Sequence, residues 1–271
     1  FREKKFLLTH QNLKVIKGDI RKRSDLNKIK SKIHSVIHLA AINGTKNFYD
    51  KPDLVLDVGI RGIINIVDYC KDKKIKEIFL ASSSEVYQNA PTYPTDEKVR
   101  LIIPDPHNPR FSYSSTKIIS EIILLNSNIF KRAIIFRPHN IYGPDMGFKH
   151  VIPELIIKTI NGKNSIKIQG DGNNKRSFCF IDDFVSAFNV ILKKGKHKEI
   201  YNIGNQEEIN SLGLAIANDN DFRDTLNKVY FKPLDEEPIK VKVPSKAAAK
   251  AGSPSEISIS QEERSEVFQK I

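Results

Sequence analysis

Tyr113 and Lys117 stand four positions apart in Tyr113-Ser114-Ser115-Thr116-Lys117, and an earlier apolar run ends in Ala81-Ser82-Ser83-Ser84-Glu85-Val86-Tyr87. These residue types suit one reaction, the removal of a proton from an alcohol as hydride leaves its carbon. Residues four apart on a helix share a face, so Lys117 can lie beside the Tyr113 phenol. A free phenol titrates near ~10 and a general base works best near ~7, so its surroundings must supply roughly 4 kcal/mol. Ser83, where the apolar run turns polar, can hold the substrate's hydroxyl. Glu85 is placed to reach a carbon next to that alcohol.

Each residue has a plainer reading. Tyr-x-x-x-Lys arises by chance in a lysine-rich chain, and Tyr69 with Lys73 is a second match. That pair closes a helical pattern, with Lys71-Asp72-Lys73-Lys74 as its solvated last turn. Tyr113 instead opens a helix after the Pro-rich loop Pro104-Asp105-Pro106-His107-Asn108-Pro109, where a reactive pair can face a cleft. Ser82, Ser83 and Ser84 would read as ordinary turn residues without Tyr113.

The elements that must position these residues follow from periodicity. Leu13–Ile16, Val36–Ala40, Ile75–Ala81 and Ala133–Arg137 are short apolar runs that predict strands buried on both faces. Pro52–Cys70 and Tyr113–Leu125 carry apolar residues at helical spacing. Strands alternating with helices predict an α/β fold, a doubly wound parallel sheet of Rossmann-like type. In such a sheet ligands bind at the carboxyl ends of the strands, where Ser83 falls. Beyond Arg137 the pattern predicts a helix over Val151–Ile160, a strand at Ser165–Gln169, a helix over Asp182–Leu192 and a strand at Glu199–Ile203. Val243–Pro254 reads as a linker or disordered segment, and Gln261–Ile271 as at most a short surface helix.

Composition narrows the function classes. The chain of 271 residues carries a net charge of +12, yet its lysines are spread evenly rather than in a stripe. That pattern argues against a nucleic-acid partner and favours an anionic small substrate. Cys70 and Cys179 make neither a disulfide framework nor a zinc site, so no metal is expected. No run reaches the ~18 apolar residues of a membrane span. The charged opening Phe1-Arg2-Glu3-Lys4-Lys5 lacks a signal peptide's apolar run, which leads us to expect a cytoplasmic protein.

Further motifs resemble one family, the extended short-chain dehydrogenases/reductases, and within it the NAD-dependent nucleotide-sugar epimerases and dehydratases. The likeness runs from about Lys14 to Asn205. Gly18-Asp19-Ile20 resembles the turn whose aspartate meets the adenine, and His38-Leu39-Ala40-Ala41 the strand end beside the cofactor. Arg137-Pro138-His139-Asn140-Ile141-Tyr142-Gly143-Pro144 is similar to the block whose asparagine contacts substrate. Arg176, Asp182 and Asp183 fit the block whose arginine faces the nucleotide diphosphate. The resemblance implies NAD as cofactor, held by Asp19, Ile20, Leu39, Ala40, Ala41, Tyr113 and Lys117. It implies Ser83, Glu85, Tyr113 and Lys117 as the catalytic set and Ser84, Asn140 and Arg176 as contacts to a nucleotide-sugar. It also implies a homodimer paired through Pro52–Cys70 and Tyr113–Leu125. The expected division is a truncated NAD-binding domain over 1–144, a substrate-binding part over 145–205 and an atypical region over 206–271.

The departures from the family pattern bear on the reaction. No Gly-x-Gly-x-x-Gly occurs, so the likeness lacks the family's first strand, Gly-rich turn and helix. Gly59 stands where the family commonly has Asn, and the family's C-terminal Arg-Pro-Asp segment does not follow Asn205. The 4,6-dehydratases carry Thr-Asp-Glu at the strand end, and Ser84 here replaces the acid that protonates the departing hydroxyl. Ser83-Ser84-Glu85 is closer to the Thr-Ser-Glu of sugar-acid decarboxylases, while C4 epimerases need only the serine, tyrosine and lysine. The expected activity is thus an epimerase acting through transient oxidation at C4. A decarboxylase or dehydratase ranks second, and a Rossmann-like binding module lacking the phosphate turn is the reading from another class.

Overall fold

The structure is a computed structural model. It describes residues 12–143, 146–147, 150–154, 165–167, 173, 175–210, 240–243 and 255–258. The described helices are α1 (Arg23–Leu26), α2 (Thr45–Asp50), α3 (Pro52–Asp72), α4 (Ser112–Leu125) and α5 (Ile181–Lys194). The strands are β1 (Ser35–His38), β2 (Glu77–Ala81), β3 (Arg132–Pro138), β4 (Ile141–Tyr142), β5 (Ser165–Lys167), β6 (Lys175–Arg176), β7 (Cys179–Phe180), β8 (Ile200–Ile203), β9 (Ile209–Asn210), β10 (Lys240–Val243) and β11 (Ser255–Ser258). The chain divides into two units, Phe1–Pro138 with Val190–Asn202, and His139–Asn189 with Ile203–Ile271.

The first unit is a Rossmann-like α/β layer built on a sheet of order β1-β2-β3-β8. β2 lies parallel to β1, with Ser35 opposite Glu77, and parallel to β3, with Ala81 opposite Phe136. The residues before β8 join β3 through Lys198 N to Ala133 O at 2.7 Å and Ile135 N to Glu199 O at 3.1 Å. β2 and β3 are buried along almost their whole length, as continuous apolar runs covered by helices must be. Ile63, Ile66 and Cys70 of α3 pack with Ile78 and Leu80 of β2, Leu124 of α4 and Ile135 of β3 in one core cluster. Tyr69 is part of that cluster. The second Tyr-x-x-x-Lys match is therefore a packing residue followed by the end of a helix.

Two helices set the site. Pro52 opens α3 in the first turn, where its missing N–H costs no bond. A short 3₁₀ turn, Pro109–Phe111, leads into α4, with Asn108 accepting from the Arg110 N–H at 3.0 Å. Gly59 of α3 faces Thr116 of α4 so closely that a Cβ there would sit 2.5 Å from the Thr116 Cβ. Close approach at this position replaces whatever an asparagine side chain would do.

One predicted strand does not form. Residues 13–19 take no regular secondary structure, and Leu13, Val15 and Ile16 are exposed. A strand is held by its ladder, and among the described residues the β1 edge of the sheet offers this run no pairing. Its apolar composition alone does not make a strand.

In the second unit β4 pairs with β7 in parallel, β6 with β9 antiparallel, and β10 lies between β5 and β11. Residues 151–154 begin the helix expected at Val151–Ile160. The remainder of that helix, the last two residues of the Ser165–Gln169 strand, the linker from 244 to 254 and the 261–271 segment lie outside the described residues. Among the described residues no helix is long and apolar enough to cross a membrane, and no cluster of His, Cys, Asp or Glu could hold a metal ion. Cys70 and Cys179 are both buried and unbridged.

Candidate active site

The carboxyl end of β2 and the first turns of α4 bring Ser83, Tyr113 and Lys117 together. Lys117 is 5% exposed, and its Nζ donates to the Ala81 carbonyl at 2.7 Å while lying 5.5 Å from the Tyr113 ring centroid. This bond ties the helix to the strand end. Ser83 follows in extended conformation and accepts from the Glu85 N–H at 3.2 Å. Its hydroxyl also faces the Tyr113 phenol and favours the phenolate. Tyr113 is buried and stacks on Phe48 of α2, with centroids 5.2 Å apart and planes 15° apart.

Burial dominates the electrostatics. It pushes Tyr113 up to about 12, helped by the Glu85 charge and opposed by the Ser83 hydroxyl. It pulls Lys117 down to about 8 against the favourable charge of Glu121. His38, at the end of β1, is lowered to about 4 by burial and by Lys117, and so stays neutral near pH 7. A base working at neutrality needs the phenol lower by roughly five pH units. Ser83 alone does not offset burial, so the acidification expected of the Tyr113–Lys117 pair calls for a further positive charge in the site.

Glu85 is engaged rather than loose. Arg110 Nη1 donates to its Oε2 at 2.8 Å, with both side chains partly exposed. The same guanidinium lies 5.3 Å over the Phe48 ring, so Arg110, Phe48 and Tyr113 form a layered wall. Ser84, between Ser83 and Glu85, is partly buried in the short 3₁₀ turn. Sequence reasoning missed Arg110 and Phe48, and took His38 only as part of the strand-end segment His38-Leu39-Ala40-Ala41. Arg110 is three residues before Tyr113, but its partner is far away in the chain.

It also missed a buried ion pair behind the site. Arg137 Nε and Nη2 donate to the Glu121 carboxylate at 2.9 and 2.7 Å, and Ser82 Oγ donates to Glu121 Oε1. Arg137 Nη1 also donates to the Tyr87 hydroxyl at 2.6 Å and the Glu97 carbonyl at 3.0 Å. The readable signal was Glu121 itself, one helical turn beyond Lys117.

The turn at Asp19 is built differently. The Asp19 carboxylate accepts from the Arg21 backbone N–H at 2.9 Å and from its guanidinium at 2.6 Å, which lowers it to about 2. Arg21 also reaches Asp57 of α3 at 3.1 Å. The Ile20 carbonyl accepts from Asn65 at 2.8 Å, and the Ile20 side chain lies against Gly62. Leu39 is 62% exposed beyond the end of β1, with Ala40 exposed and Ala41 half-buried after it.

These residues fit a dinucleotide. Small or exposed residues follow β1, an ionised carboxylate stands at Asp19, and a buried ammonium with three donors spends one of them on Ala81. In the second unit Asn140, at φ +38°, donates to the Ser177 carbonyl at 2.8 Å, next to Arg176. Arg176 itself is exposed, with Nη1 on the Lys175 carbonyl at 2.8 Å.

Comparison with known proteins places the chain. The model of the NAD dependent epimerase/dehydratase family matches residues 2–204. A dTDP-D-glucose 4,6-dehydratase of Dictyostelium discoideum is 34% identical over 218 residues, covering 77% of this chain and 50% of that protein. A dTDP-4-dehydro-6-deoxy-D-allose reductase of a Streptomyces species is 30% identical over 216 residues, covering 75% of this chain and 65% of that one. Among solved structures, a dTDP-glucose 4,6-dehydratase of Bacillus anthracis in complex with NAD superposes with a TM-score of 0.67 at 23% identity, covering 98% of this chain and 76% of its own. The chain spans about half the length of the Dictyostelium relative. Its fold and the extent of the family match agree: the chain belongs to the NAD dependent epimerase/dehydratase family.

Proposed function

We propose that this protein is a nucleotide-sugar epimerase acting through transient oxidation at C4 of a nucleotide-linked hexose. The observation that carries this reading is the joining of Ser83, Tyr113 and Lys117 at the carboxyl end of β2 by the Lys117–Ala81 bond. Tyr113 takes the proton of the C4 hydroxyl, and Ser83 hydrogen-bonds the oxygen as it becomes a carbonyl. Lys117 orients the cofactor's ribose with its remaining donors and adds a positive charge behind the phenol ring. Bound NAD would supply the hydride acceptor and donor, and a positive charge that would lower the phenol further. Asp19, Ile20, Leu39, Ala40 and Ala41 hold its adenosine half, and Asn140 and Arg176 contact the nucleotide-sugar.

Two features support epimerisation over 4,6-elimination, although a curated relative is a dehydratase. Ser84 has no acid to give the departing hydroxyl, and the Glu85 carboxylate is already paired with Arg110. A second reading, decarboxylation of a nucleotide-linked uronic acid, is favoured by the triplet Ser83-Ser84-Glu85, which is closer to the Thr-Ser-Glu of the sugar-acid decarboxylases. The test is incubation of the protein with NAD and a panel of UDP-, GDP- and dTDP-hexoses and UDP-glucuronate. Inversion at C4 is expected. Carbon dioxide from the glucuronate would support the second reading, and unchanged sugars with no keto intermediate would overturn both. Absence of micromolar NAD binding by calorimetry would mark a binding module instead. The dimer is proposed on α3 and α4, whose Ile64 and Ile122 side chains are exposed, and a monomer by light scattering would contradict it.

A further inference from the structure

The residues assigned above leave a buried, charged group unused. Glu121 and Arg137 are 2% and 1% exposed. Ions this deep are costly unless every donor and acceptor is met. Here Glu121 takes two bonds from Arg137 and one from Ser82, while Arg137 spends its remaining fork on Tyr87 and the Glu97 carbonyl. Ser82 lies between Ala81, whose carbonyl holds Lys117, and Ser83, which faces the phenol. Its backbone N–H is fixed as well, on the Phe136 carbonyl at 2.8 Å. Glu121 therefore grips the single residue that separates the two contacts of the site.

We propose that Glu121, braced by Arg137, is a positioning residue for the hydride-transfer site: it fixes Ser82 between the Lys117 and Ser83 contacts and sets a carboxylate one helical turn from Lys117 on the same helix. This deepens the reading of Ser83, Tyr113 and Lys117 given above and rests on it. Among the described residues that face Lys117, Glu121 carries the negative charge acting on it. His38 faces it from β1 and is neutral, β2 presents the Ala81 carbonyl, and Tyr113 and Glu121 lie on its own helix, with Arg137 behind Glu121 on β3. Burial acts on Lys117 in the opposite direction, so loss of Glu121 leaves burial unopposed.

The test is a titration of the Lys117 ammonium by ¹³Cε/¹⁵Nζ NMR in the full chain, alongside steady-state kinetics. Glu121→Gln is expected to move the Lys117 midpoint down by about one pH unit. It should lower kcat at least tenfold below pH 9 with KM for the nucleotide-sugar little changed. Because Glu121→Gln leaves Arg137 unpaired in the interior, Glu121→Gln with Arg137→Met removes both charges and keeps the volume; its midpoint should fall between wild type and the single variant. Glu121→Asp should recover part of kcat. A midpoint within about 0.3 pH unit of wild type in folded Glu121→Gln overturns the proposal, and if that variant does not fold, a double variant with both midpoint and kcat unchanged from wild type overturns it. Failure of the wild-type protein to turn over any sugar would overturn the functional reading, and the titration would still decide whether Glu121 sets the charge on Lys117.

Discussion

The α4 side of the site at the carboxyl end of β2 and the turn at Gly18–Arg21 both meet α3 at a glycine, Gly59 against Thr116 and Gly62 against Ile20, but their charges are handled in opposite ways. At β2, Lys117, Glu121 and Arg137 are buried and bonded to one another's neighbours. At the turn, Asp19, Arg21 and Asp57 pair while partly exposed. A buried charge cannot shift without leaving another uncompensated, and breaking such a pair costs about 3–5 kcal/mol. An exposed pair contributes about 0–1 kcal/mol and adapts to what binds. The first arrangement suits reacting atoms that must be held in place. The second suits a contact that closes on a ligand.

Four measurements sharpen or break this contrast. The largest effect is expected from Tyr113→Phe, which should lower turnover about 10²–10⁴-fold while leaving the melting temperature near that of wild type. Full turnover in that variant would remove the site from β2 altogether.

The next effect is on stability. His38 is held at about 4 in the folded chain and titrates near 6.5 when unfolded. The unfolded chain thus binds the extra proton first, and stability falls as pH drops from 6.5 through 4. The loss is about 3 kcal/mol, and a His38→Asn variant followed by urea unfolding should show a flatter pH profile over that window. An unchanged profile would mean that the buried end of β1 is open to water.

A smaller difference separates the two glycines. A helical Gly→Ala change alone gains about 1 kcal/mol. At Gly62 a methyl meets the tip of the flexible Ile20 side chain, so Gly62→Ala should be neutral or stabilising. At Gly59 it meets the Thr116 Cβ itself, and overpacking should give a net loss of about 1–2 kcal/mol by calorimetry. The reverse order would contradict a rigid β2 region. Smallest of all, Arg21→Ala should change stability by less than about 1 kcal/mol, its effect appearing instead as altered NAD affinity with stronger salt dependence.

The same contrast explains what could be read from the chain. Tyr113 and Lys117 are local in sequence, and the helix places them on one face; the β2 run points to Ser83 because an apolar strand must end where it meets water. The Rossmann-like sheet was legible for a similar reason, since β2 and β3 are unbroken apolar segments. Glu121–Arg137 and Glu85–Arg110 join residues 16 and 25 positions apart, and no spacing rule connects charges across elements. Leu13–Ile16 shows the converse. Periodicity registers how apolar a segment is, but a strand exists only when a neighbour accepts its hydrogen bonds.

The layered wall of Arg110, Phe48 and Tyr113 has an optical consequence. The chain contains no tryptophan, so an indole introduced by Phe48→Trp would be its sole long-wavelength emitter. Stacked on Tyr113 at the position of the present ring, it would sense the polarity and quenching next to the phenol directly. Cofactor and sugar binding could then be followed as separate changes in one emission band, using light from the wall of the site itself.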